Sequence, residues 1–305
     1  MSFAIRDLEL FLSVAELGQF SKVAKAKGGG DATVAGTIRR LETEVGMQLL
    51  ERGGQGVFLT PFGHEFLKRA HQICARHRDL VRHLDDVRTG EAGIFRIGGT
   101  IATLRLLIEP ALARLHIKLP GVRTELATAS TEALLEQLLQ GQIDVAVLPS
   151  MERTPSQFKQ TRIWSGHLVP VVRSGHPLTR LNPLQIKDLT SYSWILPTGN
   201  PVLREGFRMV FAGAGMDFPR VAIESTMGML TDRPSPLSLQ TDLITYMAKP
   251  VADVFAGSVE VLPLEQLWQP MGASAMSRAD GYWSPALDEF VASLVAVGES
   301  GVVRP

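Results

Sequence analysis

The chain has 305 residues, 45% hydrophobic and 20% charged, with a formal net charge of +0; this is the composition of an ordinary globular protein long enough for two or three domains. Overall neutrality excludes a bulk polybasic protein, so any surface for nucleic acid has to be local. A single cysteine, Cys74, excludes an internal disulfide framework; the absence of an apolar run of about 18 residues argues against a membrane span, and an opening, MSFAIRDLEL, without a signal-peptide pattern places the expected site of action in the cytoplasm.

The first predicted helix starts at Asp7, an acid in the N-cap position ahead of Leu8, Phe11, Leu12 and Ala15 on one face. Gly18 ends it, Ser21 caps a short second helix, and Gly28, Gly29 and Gly30 break that one before a third. The third helix has an apolar ridge of Val34, Ile38, Leu41 and Val45, which leaves Thr33, Gly36, Thr37 and Arg40 on the opposite stripe. MQLLERGGQGVFLT follows as two short strands around a Gly-rich turn. Helix, helix, turn, helix, hairpin is the plan of a winged helix-turn-helix.

Thr60 and Pro61 give a cap and a first-turn proline to a helix that runs unbroken to about Thr89. Along it, Phe66, Ala70, Ile73, His77, Leu80, Leu84 and Val87 recur in alternating steps of four and three, the seam of a helix that pairs with a second one. The seam predicts a homodimer. Cys74 is expected as a packed thiol and His77 as a partly exposed imidazole. The spacing of His64, His71, His77 and His83 does not put two ligands one turn apart, so no metal is expected here.

Beyond EAG, strands and helices alternate: IFRIGG, a helix ending near Lys118, VRTELATA, a helix through Leu139, and IDVAVLP, a parallel βαβαβ lobe. A second set crosses over near Pro149, with strands at HLVPVVR, SWILP, VAIES and DLITYM, before GASAMSR returns to the first lobe and a helix from Pro285 to Val297 closes it. Two doubly wound lobes enclose a cleft, and ligands sit beyond the carboxyl ends of parallel strands. Hydroxyls and amides stand at the strand-to-helix junctions there: Thr100 and Thr103, Ser130 and Thr131, Thr198 and Asn200, Ser225 and Thr226. Each reads equally as a simple N-cap; together, with helix dipoles and free amides, they suit an anion, so the expected ligand is a carboxylate. Ile101, Val202 and Met227 supply apolar surface nearby. No nucleophile with a base, paired carboxylates, or phosphate-loop spacing is found; no enzymatic activity and no cofactor are expected.

The combination of LELFLSVAELGQFSKVAKA, IRRLETEVGMQLLER, VFLTPFG, IEPALARLHIKLPGV and GQIDVAVLP resembles the LysR-type transcriptional regulators from about Ala4 to Val297. Within the family, GTIATLRLLIEP, ILPTGNPVLR and PMGASAMSRADGYWSPAL look most similar to members tuned to aromatic acids. The resemblance implies an N-terminal winged helix-turn-helix over 1–61, a long linker helix for dimerisation over 62–90, and an α/β two-lobed, periplasmic-binding-protein-like effector domain over 91–305. Lobe I is expected at about 91–149 and 272–305, and lobe II at about 150–271. It further implies a homodimer or homotetramer that binds double-stranded promoter DNA and changes its grip when an effector enters the cleft, and it singles out Thr103, Thr131 and Thr198 as matching effector-contact positions.

One stretch departs from the family. Members usually carry a leucine where Lys27 stands, then Ser-Gln-Pro-Ala-Val-Ser across Gly30 to Ala35. Here the groove face offers only Thr33, Thr37, Arg40 and small residues for base edges, and Asp31 brings a negative charge to the helix start. Residues 1 to 61 hold seven basic and seven acidic side chains. DNA affinity therefore has to come from placement of Arg39, Arg40, Lys22, Lys25 and Lys27, with Arg52 in the wing, and from glycines that admit a close backbone approach. The competing expectation is a two-lobed small-molecule sensor whose degenerate head no longer reads DNA.

Overall fold

A computed structural model describes residues 3–54, 56–89, 94–197, 201–225 and 233–300. The head is built from α1 (Ile5–Leu17), α2 (Phe20–Lys27) and α3 (Asp31–Val45), followed by β1 (Leu50–Gly53) and β2 (Gly56–Leu59). Its core joins Leu8, Phe11, Val14, Val23, Val34, Ile38, Leu41 and Leu49. Each such side chain is worth about 1.5–3 kcal/mol on burial, and the ridge read from the sequence of α3 is the one that is buried. Two caps differ from expectation. Asp7 is the third residue of α1, not its N-cap; Ala4 holds that place, and its amide donates to Asp7 Oδ2 at 3.1 Å. Ser21 likewise lies inside α2, whose N-cap is Gln19. Gly28 closes α2 in the left-handed region at φ 72°, a conformation that explains the first glycine of the run.

The long helix α4 (Pro61–Thr89) starts as expected, with Thr60 Oγ1 accepting from the Gly63 amide at 2.9 Å. Its apolar seam has two fates. Ala70 and Cys74 are buried in the head core and Phe66 packs against it, whereas Ile73, Leu80, Leu84 and Val87 stand exposed, together with Val81. Among the described residues no helix is long and apolar enough to cross a membrane.

In the effector domain β3 (Ile94–Gly99), β4 (Arg123–Thr128) and β5 (Val145–Pro149) are parallel, with β3 between the other two. A helical run leaves β3 as α5 (Ile101–Thr103), loosens to a π-helix over Leu104–Ile108 and continues as α6 (Glu109–Lys118); α7 (Thr131–Leu139) joins β4 to β5. The second lobe departs from the doubly wound pattern. Its first strand, β6 (Phe158–Arg173), begins nine residues before the HLVPVVR segment and serves both lobes. In lobe II β6 pairs antiparallel with β9 (Thr245–Ala248) and β10 (Val259–Val261), while its earlier part pairs antiparallel with β11 (Gln269–Arg278), which also pairs with β5. In lobe II β7 (Trp194–Pro197) and β8 (Val221–Ser225) pair in parallel, and Trp194 of β7 also bridges in parallel to Ile244, just before β9; α8 (Pro201–Gly213) connects β7 to β8. Short helices α9 (Pro236–Gln240) and α10 (Lys249–Val254) and the closing α11 (Pro285–Glu299) complete the fold. Lobe I packs around Ile97, Val147, Leu115, Phe290 and Leu294; lobe II packs around Trp194, Phe207, Phe211 and Tyr246.

A polar network ties α4 to lobe I. Asp79 Oδ2 accepts from Arg278 Nη2 at 2.7 Å, and both side chains are nearly buried. Arg82 bridges Asp79 at 2.9 Å and Asp144 at 2.5 Å, and the Asp144 carboxylate also accepts from the Arg96 amide at 2.8 Å. The Tyr282 hydroxyl donates to Asp86 at 2.8 Å; burial first, then that bond and the carboxylate's charge, push the phenol up to about 12. Arg78 donates to the carbonyls of Gln140 and Gly141, and Arg76 pairs with Asp280.

Candidate functional site

Helix α3 turns Val34, Ile38 and Leu41 inward and leaves Thr33, Gly36, Arg39 and Arg40 exposed, with Thr37 half-buried. Lys22, Lys25 and Lys27 are exposed on the adjoining α2. All of these cations are exposed, but they are not equivalent. Arg40 Nη2 donates to Asp7 Oδ1 at 2.6 Å, so this arginine is tied back to the start of α1. Arg39, Lys22, Lys25 and Lys27 have no ion pair among the described residues. Arg52 lies in β1 opposite Val57; its side chain falls outside the described residues.

The acids of the neutral head are distributed differently. Asp7 is buried and bonded to Ala4 and Arg40. Glu42 Oε1 accepts from the amides of Leu49 and Leu50 at 2.8 and 3.0 Å, which fixes the strand entry to the end of α3. Sequence reading counted both as charges that offset the lysines. With these two acids engaged internally, the α2–α3 face carries more free positive than negative charge, the exposed Asp31 notwithstanding. An Asp three residues after an apolar helix entry, the capping-box spacing, was the available signal for Asp7.

The glycines separate in the same way. Gly30 caps α3 without a side-chain hydrogen bond, and a Cβ on Gly28, Gly29 or Gly36 meets no other atom within 4 Å; on Gly30 the nearest is Thr33 Oγ1 at 4.0 Å. Apart from the left-handed Gly28, none of them is demanded by the packing of the chain itself.

In the cleft, Thr100 is the N-cap of α5; its Oγ1 accepts from the Thr103 amide at 3.3 Å and lies 3.1 Å from Thr103 Oγ1. Thr103 itself is buried, its hydroxyl donating to the Val147 carbonyl at 2.7 Å. Ser130 caps α7, accepting from the Ala133 amide at 3.3 Å, and the half-buried Thr131 follows as the first helical residue. These four stand at the carboxyl ends of β3 and β4, with Ile101 exposed beside Thr100. Thr198, Asn200 and Thr226 lie outside the described residues, as do Met227 and the side chains of Val202 and Ser225. One polar pair escaped the sequence reading: Ser150 Oγ lies 2.6 Å from the buried Ser274 Oγ, at the end of β5 where β6 and β11 pass between the lobes. Its signal was a hydroxyl just past the third parallel strand, the same rule that picked out Thr100 and Ser130.

Comparison with known proteins bears on both regions. The family described as bacterial regulatory helix-turn-helix protein, lysR family, matches residues 5–64, and the family described as LysR substrate binding domain matches residues 88–299. The chain is 27% identical to the HTH-type transcriptional regulator GbpR of Azospirillum brasilense, over 98% of this chain and 88% of that one. Among solved structures, full-length CbnR complexed with target DNA superposes with a TM-score of 0.65 at 20% identity, covering 97% of this chain and 100% of that one. Full-length LysG from Corynebacterium glutamicum with bound effector Arg gives 0.64 at 14% identity, covering 99% and 100%. At these identities the solved structures speak to the fold.

Proposed function

Since the chain belongs to the LysR family of DNA-binding transcriptional regulators, we propose that it binds promoter DNA through α3 and that a small carboxylate, of the aromatic acids by the sequence resemblance, enters the inter-lobe cleft and alters that grip. The observation that carries the DNA half is the α2–α3 face: a helix whose Val34, Ile38 and Leu41 are buried, with Lys22, Lys25 and Arg39 exposed and in no ion pair among the described residues. Each such cation that meets a phosphate releases a counterion, so binding is steeply salt-dependent. Thr33 and Thr37 face the groove, Arg40 contributes from its tether on Asp7, and Arg52 extends the contact through the wing.

For the effector half, Thr100, Ser130 and Thr131 present polar groups at the ends of β3 and β4, and a carboxylate there is favoured by the helix dipoles of the run from Ile101 and of α7. Thr103, beneath Thr100, positions it, and Thr198, Asn200 and Thr226 are assigned to the opposite wall by the sequence reading alone. The full-length LysG structure, a molecule of the same fold, carries a bound small-molecule effector, which supports a small-molecule ligand here. The protein acts as a homodimer or homotetramer in the cytoplasm, paired through the exposed seam of α4.

Footprinting of the DNA upstream of the protein's own gene, with and without benzoate, tests both halves. A protected tract whose extent changes with the acid is the expected result. Benzoate binding with no protected tract points to a sensor whose head has lost DNA, the reading that the exposed Asp31 and the bare groove face favour.

A further inference from the structure

Resting on the reading of the head as a DNA-binding module, we propose that α3 reads a duplex by groove shape and backbone approach, without bidentate contacts to purine edges, and that Gly36 is the residue that sets the distance of approach. Three independent observations converge on this.

The first is Gly36 itself. It sits in the interior of a 15-residue helix, where glycine is the least favourable residue after proline, and a Cβ there meets nothing within 4 Å. No neighbour in the chain needs the space. A side chain absent for no internal reason, on the exposed stripe between Thr33 and Thr37, leaves backbone where a reader would project.

The second is the fate of Arg40, the one long polar side chain that the stripe does carry. Its Nη2 is held by the nearly buried Asp7 at 2.6 Å, so the guanidinium is committed in part to an acid of its own chain and is less free to offer two nitrogens to the two-acceptor edge of a guanine. Thr33 and Thr37, the remaining polar groups, carry one hydroxyl each and cannot form a bidentate pair.

The third is charge. Lys22, Lys25 and Lys27 on α2 and Arg39 beside Arg40 on α3 are exposed and, among the described residues, in no ion pair. Free cations beside a stripe whose one arginine is tied to an internal acid suit a grip on the phosphates, with the base pairs judged by groove width and deformability.

The experiment uses the full-length protein and a random-sequence duplex pool carried through rounds of gel-shift selection at low salt. The selected duplexes are then remade with every purine as its 7-deaza analogue, which deletes the major-groove N7 acceptors. Expected are an affinity within about twofold of the parent duplex and, for Gly36→Ala, a melting temperature raised by a few degrees together with DNA affinity lowered about tenfold, since the added methyl stabilises the helix and holds the groove off. Loss of binding on 7-deaza substitution, or Gly36→Ala with unchanged DNA affinity, overturns the inference and leaves the DNA-binding reading standing. If no duplex is retained at any round, both fall together.

Discussion

Arg40 shows what a residue's number in a helical pattern can and cannot say. Its position on the outward stripe was legible; its tether to Asp7 was not, because the two lie 33 residues apart and meet only when α1 packs on α3. Asp7 is nearly buried and Arg40 is largely exposed, so solvent screens the pair and Arg40→Ala is expected to cost the head under about 1 kcal/mol in a denaturant titration. In a gel-shift series against salt, the same change is expected to lower affinity and reduce the logarithmic slope by about 1; unaltered binding removes Arg40 from the interface. His176 presents a second residue-scale case. It is fully buried, its Nδ1 accepts from the Leu178 amide at 3.1 Å, and its Nε2 lies 3.3 Å from the Asp242 carbonyl. Burial pulls its pKa below the ordinary 6.5, and the bond and charge of Asp242 only partly oppose this. The unfolded chain therefore binds the proton more readily: the stability contribution is intact above about pH 6.5 and is lost as pH falls below it toward the depressed folded value. His71, lowered first by burial and then by Arg78, acts in the same direction. His176→Asn, which keeps an acceptor near the Leu178 amide, is expected to flatten the decline of the urea midpoint between pH 6.5 and 5.

At the scale of the element, helices declared themselves most fully. The boundaries of α4 followed from Thr60, Pro61 and an unbroken apolar recurrence, yet the recurrence alone did not tell that its first third is consumed by the head. Phe66, Ala70 and Cys74 pack on the three-helix core, and only from Ile73 onward does the seam face outward. Leu80 is 56% exposed, Leu84 57% and Val87 71%, so substitution there removes little internal packing of the subunit. The double change Leu80→Glu with Leu84→Glu is accordingly expected to leave the thermal transition of the effector domain in place and to convert a sedimenting dimer into a monomer; a variant that stays dimeric moves the pairing surface elsewhere. Strands were read less well. The segment from Phe158 to Gly166 alternates too loosely to announce a strand, and it becomes one because β11 lies alongside β6 from Phe158 to Leu168 through ten paired positions, the register shifting between Ala273 and Ser274. Lobe II departed from the doubly wound expectation for the same reason: pairing partners distant in sequence decide strand direction, and β6 takes antiparallel neighbours on both sides.

For the whole molecule, the joint between α4 and lobe I is the feature furthest from sequence reach. Asp79 and Arg278 are 199 residues apart, and neither stands out in its own segment. Their burial makes the pair asymmetric in its energetics: removing one partner strands the other charge away from water, whereas replacing both with apolar groups strands neither and leaves Arg82 its second partner, Asp144. Asp79→Ala is thus expected to destabilise the protein by about 3–5 kcal/mol, read from urea unfolding, and the double replacement Asp79→Leu with Arg278→Met to recover most of that loss. Equal loss in both variants assigns the joint's strength to Arg82 and Asp144 instead. The strand β6 carries a different sort of consequence. Because one ribbon of sixteen residues is stitched into both halves of the effector domain, neither half is a separable cassette. Recombination between relatives that breaks within it leaves each parent's half holding a stranger's edge, so a new ligand preference has to be inherited with both halves together or arise by point changes at the rim.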